Sequence, residues 1–183
     1  MHFEKAGRDN TLQALKMAFD YAQVQGIRHI VVASTYGYTA QLLLDLVDPS
    51  INVVVVTHNT GFKEPGLQEF PDDIRQQVAA RGVRVLTGTM VLRSLGTAIR
   101  DMGGGYSEQE LVANALRMFC QGIKVCAEIT AMAADAGLIP PEDIIAVAGT
   151  GRGADTVCLI KADSSNRFFK IKVKEIITKP KEF

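Results

Sequence analysis

Residues 29–42 read His29-Ile30-Val31-Val32-Ala33-Ser34-Thr35-Tyr36-Gly37-Tyr38-Thr39-Ala40-Gln41-Leu42. The run 30–33 predicts a buried strand, because it is apolar, rich in β-branched residues and too short for a helix. A polar turn follows, in which Gly37 permits a positive φ or a close backbone approach. The hydroxyls of Ser34, Thr35 and Thr39 lie beside the free N–H groups of the helix that should begin next. This arrangement favours the binding of an anion, usually phosphate.

The sequence on both sides continues an alternation of helices and strands. Helices are predicted over 11–25, 38–47, 72–80, 91–101 and 107–136, and strands over 30–33, 52–57, 83–86, 144–148, 156–161 and 168–177. Asp9 or Asn10 is expected to cap the first helix. The last helical pattern would span about 45 Å at about 1.5 Å per residue and overhang the sheet, so we expect a break near Gln121-Gly122. The short turn 163–166 demands antiparallel pairing of the last two strands.

This pattern predicts a single three-layer α/β/α domain over residues 1–183, with a mostly parallel sheet and an antiparallel edge. Ligands in such sheets bind at the carboxyl ends of the strands, near a switch in strand order. The polar, glycine-bearing strand exits meet at that edge, together with the start of a helix after the expected break. The predicted site residues are Ser34, Thr35, Tyr36, Gly37, Tyr38, Thr39, Thr57, His58, Asn59, Lys124, Gly149, Thr150, Gly151, Arg152, Gly153 and Asp155.

The loop 149–155 is the second predicted anion site. Its glycines free the backbone for a group of N–H donors, and Arg152 adds a bidentate partner for phosphate. One glycine-rich loop alone is weak support for anion binding, whereas two such loops at one edge of the sheet are stronger support. For His58, a hydrogen-bonded surface histidine and a ligand contact remain equal alternatives. Lys124 and Glu128 lie four apart on a helix, which favours a solvated ion pair.

Composition excludes several classes of protein. With 47% hydrophobic and 22% charged residues the chain is globular, and its zero formal net charge gives no support for nucleic-acid binding. No apolar run is long enough to span a membrane, and the N-terminus lacks the apolar stretch of a signal peptide. Three cysteines without a C-x-x-C pair indicate reduced thiols, so we predict a cytoplasmic protein. The histidines are too scattered to predict a metal site.

The order of these motifs resembles the C-terminal α/β domain of pyruvate kinase. The turn 34–40, the strand exit Val53-Val54-Val55-Val56-Thr57-His58-Asn59 and the last crossover 127–151 are similar to that domain in sequence and order. The better match is a standalone group of archaeal and bacterial proteins, since the catalytic barrel would need about 250 further residues. Pyruvate kinase activity is therefore not implied. In some pyruvate kinases the equivalent turn and loop bind an allosteric sugar bisphosphate, which implies a phosphate at Ser34, Thr35, Gly37 and Thr39.

Tyr36 departs from that pattern, where a small hydroxyl residue is usual. The turn is also similar to the phosphate loop of flavodoxins, again with Tyr36 out of pattern. Since Tyr36 or Tyr38 can stack on a flat ring, flavin mononucleotide (FMN) is the first expected ligand. Two alternatives stay open: an enzyme that uses Lys124, Glu128, His58 or Asp155 as acids and bases, and a subunit whose site regulates a partner. The chain is also a candidate homo-oligomer.

Overall fold

The computed structural model describes residues 2–183 and consists of two sheets and six α-helices. The strands are β1 (Phe3–Lys5), β2 (His29–Ala33), β3 (Asn52–Val56), β4 (Arg84–Leu86), β5 (Asp143–Ala148), β6 (Thr156–Lys161), β7 (Lys172–Thr178) and β8 (Pro180–Glu182). The helices are α1 (Thr11–Gln25), α2 (Tyr38–Leu43), α3 (Asp72–Ala80), α4 (Ser94–Gly103), α5 (Glu108–Arg117) and α6 (Gln121–Asp135). No helix in this range is both long and apolar enough to span a membrane.

The main sheet has the strand order β4-β3-β2-β5-β6-β7. β4, β3, β2 and β5 run parallel, and β6 and β7 complete an antiparallel edge, which confirms the predicted sheet. From β2 the chain moves outward to β3 and β4, then returns to place β5 on the other side of β2. The switch in strand order therefore lies between β2 and β5, and this is where ligands bind in open α/β sheets.

Helices cover both faces of this sheet, as expected for three layers. Ile30 and Val32 pack into a core that includes Leu15 of α1. Val31, between them, points to the opposite face and packs into a core with Ile129 of α6. Since successive side chains of a strand point to opposite faces, burial on both sides explains why these strands are apolar without alternation.

The predicted break in the long helix is confirmed. α5 begins with a capping box, in which Ser107 Oγ accepts a hydrogen bond from Glu110 N at 3.3 Å. It ends at Arg117, and α6 begins at Gln121. A β-carbon on Gly122 would overlap the side chain of Thr156, so this glycine allows the start of α6 to close on β6. The break directs the N-terminus of α6 at the carboxyl edge of the sheet.

Three predictions about helix ends are wrong. α4 spans Ser94–Gly103 rather than 91–101. Neither Asp9 nor Asn10 caps α1 through its side chain; a 3₁₀ turn precedes the helix, and Asn10 Nδ2 instead donates to Lys5 O at 2.8 Å. α2 ends at Leu43 rather than at residue 47, because bonds between residues three apart replace the α-helical pattern, as in Leu46 N to Leu43 O at 2.9 Å.

Further differences lie toward the two ends of the chain. The last strand of the main sheet begins at Lys172, which pairs with Lys161, so Phe168 lies in a 3₁₀ turn and not in the predicted strand. β1 and β8 form an unpredicted parallel pair, with Phe3 opposite Pro180. Each of these strands has only three residues, too few to show a period in the sequence.

Candidate functional site

A cavity of about 440 Å³ opens at the carboxyl edge of the sheet, where the turn after β2 faces the loop after β5. Its volume falls within the range of about 300–1,000 Å³ that is usual for small-molecule sites. β2 and β5 are hydrogen-bonded neighbours, so the two predicted anion loops meet because of the strand order.

The turn after β2 presents hydroxyl groups to this cavity. Ser34 Oγ accepts a hydrogen bond from Ala40 N at 3.2 Å, which fixes the start of α2 and leaves the hydroxyl proton available for a ligand. Thr39 also lines the cavity and is 3% exposed. Gly37 has a φ of 84° but lies outside the lining, and a β-carbon there would overlap the side chain of Ile74. Packing beneath the turn therefore requires this glycine.

The loop after β5 is held by the buried carboxylate of Asp155. Its Oδ2 atom accepts bonds from Thr150 N and from Gly7 N, both at 3.1 Å, and its Oδ1 atom accepts a bond from the Thr156 hydroxyl at 2.8 Å. Asp155 and Thr150 do not line the cavity. Asp155 therefore shapes the loop that presents Arg152, and its carboxylate is occupied by the protein itself.

Cations dominate the cavity wall. Five basic side chains line it: Arg8, Arg93, Arg117, Lys124 and Arg152. Glu128 is the one acidic residue among the lining residues that the structure describes. Because like charges at close quarters repel, a wall with this excess of positive charge is complementary to an anion.

Aromatic rings hold two of the arginines at the rim. The Arg8 guanidinium lies 3.5 Å from the centre of the Tyr38 ring, and the Arg152 guanidinium lies 5.1 Å from the centre of the Tyr36 ring. Lys63 Nζ approaches Tyr36 as well, at 4.8 Å. These distances are typical of cation–π contacts, which place the charges without consuming their hydrogen-bond donors. Tyr36 is 38% exposed and available to a flat ligand.

Lys124 and Glu128 form a buried ion pair, so the solvated pair predicted from their spacing is wrong. Lys124 Nζ lies 2.5 Å from Glu128 Oε2, and the two side chains are 3% and 1% exposed. Glu128 Oε1 accepts a second bond from Leu92 N at 2.8 Å. Burial lowers the pKa of Lys124, and the Glu128 carboxylate opposes that shift. The pair lies on the side of α6 that faces the cavity and the segment before α4.

His58 lines the cavity beside Phe62, with ring centres 4.0 Å apart. Its Nδ1 atom is buried and has no hydrogen-bond partner among residues 2–183. Burial lowers the pKa of His58, and the nearby Glu69 carboxylate opposes the shift. The next residue, Asn59, lies outside the lining, where its Nδ2 atom donates to Thr60 O at 2.9 Å.

The cavity thus brings most of the predicted site residues together. Those that line it are Ser34, Thr35, Tyr36, Tyr38, Thr39, Thr57, His58, Lys124, Gly149, Gly151, Arg152 and Gly153. Those outside the lining are Gly37, Asn59, Thr150 and Asp155. Within residues 2–183, no three His, Cys, Asp or Glu side chains cluster in a way that could hold a metal ion.

Sequence reasoning missed three of the lining cations. Arg93 follows the exit of β4, Arg117 immediately precedes the break before α6, and Arg8 precedes α1, whose N-terminus lies at the same edge. The exit of β4 and the start of the helix after the break were predicted to lie at that edge. The position of a basic residue beside such a boundary was therefore a usable signal.

The chain is similar to one protein family and to several solved structures. A family model described as the pyruvate kinase alpha/beta domain matches residues 13–160. A structure of a pyruvate kinase from Cryptosporidium parvum is 16% identical with a TM-score of 0.44, and the alignment covers 83% of this chain and 22% of that one. Another, Cryptosporidium parvum pyruvate kinase in complex with ADP, is 18% identical with a TM-score of 0.45, covering 83% and 23%. This chain therefore spans about a fifth of the length of those pyruvate kinases.

Proposed function

This chain belongs to the pyruvate kinase alpha/beta domain family, and from that premise we propose that it binds a phosphorylated small molecule at the carboxyl edge of its sheet. The observation that carries the proposal is the excess of cations in the cavity wall. Five basic side chains face one acid there, and that acid, Glu128, is already paired with Lys124. Without an anionic ligand, these side chains would repel one another across a small volume.

The phosphate is proposed to sit between the two loops. The free hydroxyl proton of Ser34 and the hydroxyls of Thr35 and Thr39 supply donors from one side. Arg152 and Arg8 supply guanidinium groups from the other side, each already positioned by a tyrosine ring. Guanidinium groups bind phosphate oxygens through paired, charge-assisted hydrogen bonds.

FMN is the first candidate ligand, because the cavity combines an anion site with aromatic rings. Tyr36 at the rim and Phe62 within the lining offer faces for a flat ring. A flavin would place its phosphate at the hydroxyl turn and its ring against these side chains. Aromatic stacking of this kind adds affinity beyond the area that is buried.

The absorbance spectrum of the purified protein is the first test, since a retained flavin absorbs near about 450 nm and reports the bound cofactor directly. Thermal unfolding should then be measured with FMN, riboflavin, inorganic phosphate and a sugar phosphate. A ligand at about 100 times its dissociation constant should add about 2.7 kcal/mol to the free energy of unfolding. Riboflavin, which lacks the phosphate, should stabilise the protein less than FMN.

A matched pair of serine variants tests the phosphate position. Ser34→Ala removes a hydroxyl from the cavity wall, whereas Ser50→Ala removes one from an exposed turn elsewhere. FMN or phosphate should bind more weakly to Ser34→Ala only. If no phosphorylated compound in the panel raises the stability of the wild-type protein, the proposal is refuted.

A second candidate is an enzyme or a regulatory subunit that takes a different phosphorylated metabolite at the same site. The buried pair of Lys124 and Glu128, with the unpartnered Nδ1 atom of His58, favours this alternative, because such groups can exchange protons with a ligand. A colourless preparation that releases a sugar phosphate on denaturation, identified by mass spectrometry, would support it over FMN.

A further inference from the structure

One cation in the cavity is a primary amine, which differs chemically from the guanidinium groups of the others. Lys124 is the one lysine among the lining residues that the structure describes; the remaining basic side chains there are arginines. A guanidinium stays protonated in proteins and does not act as a nucleophile, whereas a buried lysine loses its proton readily and can then attack a carbonyl carbon. Lys63 lies over Tyr36 at the rim and outside the lining.

The surroundings of Lys124 are suited to handling its proton. Its ammonium group is bonded to Glu128 Oε2, and Glu128 Oε1 is held by Leu92 N at 2.8 Å, so the carboxylate is fixed beside the amine. Burial lowers the pKa of Lys124, and the charges of Arg117 and Arg93 lower it further, while Glu128 opposes them. These effects favour access to the neutral amine more than at an exposed lysine.

We propose that Lys124 is a nucleophile that forms an imine with a phosphorylated aldehyde or ketone bound in this cavity. The inference rests on the phosphate site proposed above and names the class of compound that the site would bind covalently. A phosphate held at the turn after β2 would keep the rest of the compound within the cavity that Lys124 lines.

The reaction balances with the groups present. Glu128 takes a proton from the Lys124 ammonium, and the freed amine attacks the carbonyl carbon, forming a C–N bond as the C=O π bond breaks. A proton then moves from the nitrogen to the oxygen, which gives the carbinolamine. Its hydroxyl group is protonated by the Glu128 carboxyl and leaves as water, and the last N–H proton passes to solvent. The product is a C=N bond between Lys124 and the ligand. No oxidant or reductant is consumed.

The alternative is that the pair only stabilises the packing of α6 against the segment before α4. Pyridoxal 5′-phosphate distinguishes the two, because it combines a phosphate, a flat ring and an aldehyde. The wild-type protein is incubated with it, the imine is reduced with sodium cyanoborohydride, and modified lysines are mapped by peptide mass spectrometry. We expect Lys124 to carry the pyridoxyl phosphate group at concentrations that leave Lys63 unmodified.

Three controls separate this inference from the phosphate site itself. Pyridoxal, which lacks the phosphate, should modify Lys124 much less. Pyridoxine 5′-phosphate, which lacks the aldehyde, should protect Lys124 and raise the thermal stability. Lys124→Arg should lose the adduct while Lys63→Arg keeps it; since mapping on the wild-type protein comes first, the test does not depend on the variant folding.

The outcomes divide cleanly. If pyridoxine 5′-phosphate binds and Lys124 remains unmodified by pyridoxal 5′-phosphate, the imine is refuted and the phosphate site stands. If pyridoxal and pyridoxal 5′-phosphate modify Lys124 equally, the amine is reactive and the phosphate site is refuted. If Lys124 is not modified and neither phosphate compound binds, both proposals are refuted.

Discussion

Replacing Gly37 by alanine tests the turn on which the site is built. With φ at 84°, the backbone lies in the left-handed region, which costs a residue with a β-carbon about 1–2 kcal/mol. The new β-carbon would also overlap the terminal methyl of Ile74, and relief of such overpacking costs about 1–3 kcal/mol. Together these effects should lower the free energy of unfolding by about 2–5 kcal/mol.

Gly26→Ala is the matched control, because Gly26 has a φ of 68° and open space where its β-carbon would lie. It should cost only the backbone term of about 1–2 kcal/mol. Both variants reduce the entropy of the unfolded chain equally, so the difference between their stability costs isolates the contact with Ile74.

Ile74→Val completes the cycle by removing the methyl that the new β-carbon would overlap. Alone it should cost about 0.5–1.5 kcal/mol, and in its presence the cost of Gly37→Ala should fall to that of Gly26→Ala. Urea unfolding followed by far-UV circular dichroism measures the stabilities of the wild type and of the four variants. Equal costs for Gly37→Ala and Gly26→Ala, or no rescue by Ile74→Val, would refute this account of the turn.

Three further changes probe the cavity wall. Arg152→Ala should weaken FMN or phosphate binding by about 1.5–3 kcal/mol in calorimetric titration and leave stability nearly unchanged; unchanged affinity would remove Arg152 from the site. Lys124→Met should lower the free energy of unfolding in urea by about 3–5 kcal/mol, because it leaves Glu128 buried and unpaired. Adding Glu128→Gln, which keeps an acceptor for Leu92 N–H, should restore much of the lost stability. Burial lowers the pKa of His58 below its ordinary 6.5, so the unfolded chain binds more protons and stability should fall as pH drops below about 6.5. His58→Gln should flatten that fall in denaturation curves at several pH values, and an unaltered slope would contradict it.

The fold followed from sequence because its strongest signals are local. The run 30–33 shows burial on both faces, and the motif order from the turn 34–40 to the loop after residue 148 matches the family found by comparison. The break before Gln121 was predictable from length alone, since one straight helix would overhang a short sheet. By contrast, β1 and β8 pair residues that are far apart in sequence, and three-residue strands show no pattern of their own.

The site was predicted less completely for a different reason. Backbone position could be inferred from strand order, but the direction of a side chain depends on packing that the sequence does not display. Asp155 was expected to face a ligand and instead accepts bonds from Gly7 and Thr150. The ion pair of Lys124 and Glu128 was expected to be solvated and is buried, since a spacing of four residues does not show which face of a helix is covered.

The bonds of Asp155 have a consequence for how the cavity opens. Gly7 and Thr150 are separated by most of the chain, yet the same carboxylate oxygen accepts a bond from each, and Arg8 and Arg152 follow them closely in sequence. Breaking the two hydrogen bonds to Asp155 would release both segments together, so the segments that carry Arg8 and Arg152 should fluctuate as one cooperative unit. The amide protons of the two segments should therefore exchange with solvent deuterium at matching rates. A ligand that bridges the two segments should slow both exchange rates by the same factor.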